Sequence, residues 1–116
     1  MENAWDKPHK ELDKLLDGDR KVFYSTGRLM NDTAIVGTVV MAADADGYFG
    51  AGDDYVSEPV TNPTWLELAV LADKMIRTTG DYHHIFFEGV RGAGSYRMEE
   101  GRTVNGFPVW EFIMGS

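Results

Sequence analysis

Pro63-Thr64-Trp65-Leu66-Glu67-Leu68-Ala69-Val70-Leu71-Ala72-Asp73-Lys74-Met75-Ile76-Arg77-Thr78-Thr79-Gly80 is the stretch on which the fold turns. Trp65, Leu68, Ala69, Ala72, Met75 and Ile76 recur at helical spacing and form one continuous apolar stripe. The start offers two caps: Asn62 ahead of Pro63 as first helical residue, or Thr64 with Glu67 closing a capping box. Asp73 and Arg77 stand one turn apart, and Gly80 supplies the stop. The spacing predicts a helix over 64–79. A helix with a single greasy stripe must bury it against another layer, so the segments on either side have to supply one.

Those segments read mostly as strands. Residues 21–28 carry Val22, Phe23 and Tyr24, and residues 33–43 carry Ile35, Val36, Thr38, Val39 and Val40. After the helix, 83–90, 95–99 and 107–114 are again rich in β-formers, and Asn105-Gly106 is a strong hairpin signal. A short strand is expected at Tyr48-Phe49. A second, short helix is expected over 7–16: Pro8 falls in its first turn, Asp6 caps it, Gly18 follows it, and Leu12, Leu15 and Leu16 share a face with Trp5 at its start. Short turns between successive strands impose antiparallel pairing. The expected fold is α+β: an antiparallel sheet of five to six strands, the 64–79 helix packed on one face, a short N-terminal helix, and one domain over 1–116. The order of elements resembles that of profilin-like and PAS-like architectures, and no motif of either accompanies it.

Charge is unevenly spread. Between 29 and 73 lie Asp32, Asp44, Asp46, Asp53, Asp54, Glu58, Glu67 and Asp73 without one Lys or Arg. Elsewhere acids and bases balance, so the net charge of −8 is local. Such a field repels nucleic acid and anionic lipid and draws cations or basic surfaces. The basic residues Arg91, Arg97 and Arg102 are too few to argue for nucleic-acid binding. Cysteine is absent, which excludes disulfide scaffolds, thiolate metal sites and cysteine nucleophiles. The polar N-terminus does not read as a secretory leader, and no apolar run approaches the ~20 residues of a membrane span. A soluble, cytoplasmic protein is the expectation.

Two constellations carry candidate chemistry. Asp44, Asp46 and Asp53 partly match a calcium loop, with Gly47 at the sharp turn; the first ligand position is Ala42 and the last is a short Asp, so an ordinary acidic turn explains the stretch as well. Calcium is therefore the single cofactor considered, the base expectation being none. Asp81, His84 and Glu88 concentrate titratable groups: on a strand, His84, Phe86 and Glu88 share a face, and a His–carboxylate pair can work as general acid and base. No nucleophile accompanies them. The glycines around Arg91 do not form a phosphate loop, since neither the spacing nor a following Lys-Ser/Thr pair is present.

Three strands, at 34–42, 84–88 and 107–114, are apolar on both faces, more surface than one helix covers. A second copy of the chain is the expected cover, making a homo-oligomer, a dimer first. The leading expectation is a non-enzymatic domain acting through self-association or macromolecular binding. The alternative is a small-molecule-binding protein or enzyme with a pocket between the 64–79 helix and the sheet, lined by His84 and Glu88.

Overall fold

The fold was read from a computed structural model, which describes residues 6–45, 52–92 and 103–116. The element order is α1 (Asp6–Leu15), β1 (Phe23–Tyr24), β2 (Thr38–Ala43), β3 (Tyr55–Val56), β4 (Val60–Thr61), α2 (Trp65–Thr79), β5 (Phe86–Gly92), β6 (Thr103–Val104) and β7 (Phe107–Gly115). Both expected helices form. Of the two caps open to α2, the chain uses Thr64: its Oγ1 accepts the Glu67 N–H at 3.2 Å, and the Glu67 carboxylate accepts the Thr64 N–H at 3.2 Å. Gly80 takes the left-handed conformation, φ 75°, and its N–H donates to the Ile76 carbonyl. Asn105 and Gly106 both have positive φ, as a tight hairpin requires, and β6 and β7 pair across them.

The sheet corrects the expectation. It has seven short strands among the described residues, and it is mixed, not antiparallel: the path is β1-β5-β7-β2-β3, with β4 on β2 and β6 on β7. β1 runs parallel to β5, and β2 runs parallel to β7. The turn argument governs only strands that follow one another directly. Here α2 and its flanking loops lie between the members of each parallel pair, long enough to bring the chain back in the same direction. Several strands are also shorter than expected. Residues 33–37 bend instead of pairing, apart from an isolated bridge between Thr33 and Thr64, and 83–85 belong to the loop before β5. The expected strands at 48–49 and 95–99 lie outside the described residues.

The stripe on α2 does meet the sheet. Leu68, Ala69, Ala72, Met75 and Ile76 are buried with Val39 and Met41 of β2, Phe87 of β5 and Phe112 of β7. Phe87 is the hub, fully buried, with its ring 6.1 Å from that of Trp65 and 5.9 Å from that of Phe112. Leu12 of α1 and Val22 close the same core.

One side chain of α2 is buried against the rule for charges. Asp73 is fully inaccessible, yet it has three donors for company: its Oδ1 accepts the N–H groups of Lys21 (2.6 Å) and Val22 (2.9 Å), and its Oδ2 accepts Nε–H of Arg77 (2.7 Å). Arg77 also donates to the side chain and carbonyl of Asp19, and this guanidinium, with Lys21, holds the Asp19 carboxyl below its usual range. A carboxylate satisfied in this way is tolerable in a core, and it ties the segment before β1 to α2.

The other face of the sheet is less well covered. Ala42, Val109 and Val104 form a small second cluster there. Further along, the rings of Phe23 and Phe86 stack at 5.2 Å, and they and Ile113 remain 36–39% exposed. The Arg20 guanidinium lies over Phe23 at 4.9 Å.

Candidate functional site

β2 and β7 lie side by side and are paired at Val40↔Val109 and Met41↔Trp110. There the pairing ends, although β2 runs on to Ala43 and β7 to Gly115. Each strand then follows a different partner. Ala42 and Ala43 are laddered to Val56 and Tyr55 of β3, while the rest of β7 is laddered to β5 from Gly92↔Trp110 to Phe86↔Gly115. Beyond those pairs, beside the C-terminal ends of the two strands, lies a cleft of about 450 Å³.

Residues 42–44 line one side of the cleft and 111–114 the other. Its deeper lining is the buried trio Met75 and Thr79, from the last turns of α2, and Phe112. Asp81, His84 and Arg91 complete it. Thr79 is committed to its helix, its hydroxyl donating to the Met75 carbonyl at 2.9 Å.

The loop after α2 positions the histidine. Gly80 reverses the chain, and Asp81 then organises it with both oxygens: Oδ1 accepts the His83 N–H at 3.1 Å, and Oδ2 lies 2.7 Å from Nδ1 of His84. A carboxylate on Nδ1 selects the tautomer protonated there, making Nε2 the basic nitrogen of the neutral ring. On the far side, Arg91 Nε donates to Glu111 Oε2 at 3.2 Å, a cross-strand pair with both side chains partly in water.

The expected site residues are thus divided. Asp81 and His84 meet in the cleft, and Asp44 joins them from the end of β2. His84 sits in a loop, so the strand alternation used to place Glu88 beside it does not apply. Glu88 is the extra residue where β5 shifts register between Phe87 and Gly89, and its carboxylate lies over Gly115, where any Cβ would overlap it. Of the calcium-loop candidates, the Asp53 N–H donates to the Thr78 carbonyl at the end of α2, and Asp46 lies outside the described residues. No group of three His, Cys, Asp or Glu side chains is arranged to hold a metal ion among the described residues. Asp54, next to Asp53, accepts the Ala45 N–H at 2.7 Å and so fastens the chain just past Asp44.

Sequence reading missed Met75 and Thr79 as lining, and the Arg91–Glu111 pair. Met75 read as helix core, which it also is, and Thr79 only as the last residue of the helix. The pair depends on the β5–β7 register, which no local signal announces.

Behind the 42–44 side of the cleft, Tyr55 of β3 is 8% exposed and packs on Phe112 with ring centroids 6.3 Å apart. Burial pushes its phenol up to about 12.

No family model, no curated protein and no solved structure matches this chain. Among the described residues, no helix is long and apolar enough to cross a membrane.

Proposed function

We propose that this chain is a small-molecule-binding domain whose site is the cleft beside the C-terminal ends of β2 and β7. The observation that carries the reading is the cleft of about 450 Å³ lined by residues 42–44, 111–114 and the last turns of α2. That volume falls within the ~300–1,000 Å³ of ordinary ligand sites, and the lining mixes apolar side chains with a few convergent polar groups. Crevices at the carboxyl ends of parallel strands are a frequent place for ligands in open sheets. Binding is favoured over covalent catalysis because the one hydroxyl of the lining, Thr79, is spent on the Met75 carbonyl.

Methyl and imidazole NMR of the full chain against a library of small polar and aromatic fragments tests this. Binders are expected to move Met75, Met114 and His84 together, and a library that moves none of them would overturn the reading.

A second reading is favoured by one separate observation, the stacked and partly exposed Phe23 and Phe86 on the opposite face, with Ile113 nearby. Self-association through that face would bury them against a second copy. Sedimentation equilibrium at micromolar concentration tests it: a dimer that Phe86→Glu dissociates supports this route, and a monomer removes it.

A further inference from the structure

We infer that the ligand of the cleft is an organic cation, an amine or guanidine carried on a short apolar body. This rests on the cleft being a ligand site, and it adds the chemistry that the site would select. Among the described residues, three carboxylates belong to the lining, Asp44, Asp81 and Glu111, against one guanidinium, Arg91. Arg91 and Glu111 answer each other at 3.2 Å. Asp81 has an imidazole for its partner, and a neutral imidazole offers a proton without cancelling the charge. Asp44 is exposed at the end of β2, within the long stretch 29–73 that contains no Lys or Arg. Among the described residues the balance of the lining is therefore negative, by two charges with His84 neutral and by one with it protonated.

Carboxylates on an open surface would be no more than a solvated patch. These differ in ringing a cavity whose depth is apolar: Met75 and Phe112 are 6% and 8% exposed, and Met114 continues the same lining. A charge held beside a low-dielectric wall acts more strongly than one in bulk water. A ligand with a cationic head and a hydrocarbon or aromatic body satisfies both halves of the cleft at once. The thioethers of Met75 and Met114 suit such a body, since methionine adapts to varied apolar shapes and packs well on aromatic rings. An anion of the same size would have to bring its charge to Asp44 and Asp81.

Three matched probes separate charge from shape: phenethylamine, 2-phenylethanol and 3-phenylpropanoate, titrated into the full chain at low salt. The readouts are the Met75 and Met114 methyls and the His84 ring. The amine is expected to bind ~10-fold tighter than the alcohol, and the carboxylate more weakly than either. Raising the salt to 0.5 M should erase most of the difference between amine and alcohol. Asp44→Asn should weaken the amine about threefold to tenfold and leave the alcohol unchanged. Equal binding of amine and alcohol, or a preference for the carboxylate, would overturn the cation assignment while leaving the cleft as a site. If none of the three moves any lining resonance, the cleft reading itself falls, and this inference with it.

Discussion

The two sides of β7 are built differently. Toward β5 it keeps an antiparallel ladder along most of its length, from Gly92↔Trp110 to Phe86↔Gly115, with one bulge. Toward β2 it makes only two parallel pairs. The β5 side is braced: Phe87 is wedged between Trp65 and Phe112, and α2 is fastened to the chain before β1 through Asp73. The β2 side depends instead on a two-residue strand, β3, and on Tyr55 packed behind it. The long ladder and the short pairing thus fall on opposite edges of a single strand.

That contrast can be broken most forcefully at its braced side. Phe87→Ala removes the aromatic hub and should cost about 4 kcal/mol, within the range for emptying a core aromatic site, as read from urea unfolding. Asp73→Ala should cost about 3 kcal/mol, because three donors lose their acceptor inside the protein. Asp73→Asn should cost clearly less, since the amide oxygen can still accept the Lys21 and Val22 N–H groups. If Asp73→Ala unfolds at the wild-type midpoint, the clamp is not holding the braced side.

The β2 side sharpens the comparison through pH. The phenol of Tyr55 ordinarily titrates near 10 and is pushed up to about 12 by burial. The fold therefore favours its neutral form. The resulting stability is intact below pH 10 and is lost as pH rises toward 12, on the order of 2 kcal/mol in all. Tyr55→Phe should flatten the fall of the unfolding midpoint between pH 10 and 11.5. A residual slope is expected from Tyr24, whose phenol burial also raises. An unchanged alkaline slope in Tyr55→Phe would show that β3 does not seal the back of the cleft. The smallest effect belongs to Arg91→Gln. Its pair with Glu111 is half in water, so stability should move by no more than ~0.5 kcal/mol. A loss above 2 kcal/mol would mean that the pair braces β7 rather than bordering the cleft.

Local chemistry made part of this legible in advance. The stripe on α2, the Thr64–Glu67 box, the Gly80 stop and the Asn105-Gly106 turn are each written within a few residues, and each forms as read. The parallel pairs are not written that way. β1 meets β5, and β2 meets β7, across most of the chain, and the composition of a strand does not record the direction of its neighbour. Asp73 and Arg77 read as an ordinary surface pair one turn apart; the buried backbone N–H groups that Asp73 accepts come from residues 21 and 22, far away in sequence. Glu88 was misplaced for a related reason. Alternation assumes an uninterrupted strand starting at His83, whereas the strand starts at Phe86 and bulges at once. His84 and Asp81 were found together because their bond is local, three residues apart.

Gly52 lies flush against the end of α2, its N–H on the Thr79 carbonyl and its α-carbon so near the Thr78 carbonyl that a methyl group would collide with it. Three residues later comes Tyr55, and Tyr55 is the register partner of Ala43 beside the cleft. One missing side chain therefore sets how far apart the last helical turn and the lip of the cleft can sit. Adding even the smallest substituent there, as in Gly52→Ala, would act as a spacer. The opening would change its width with none of its own residues altered.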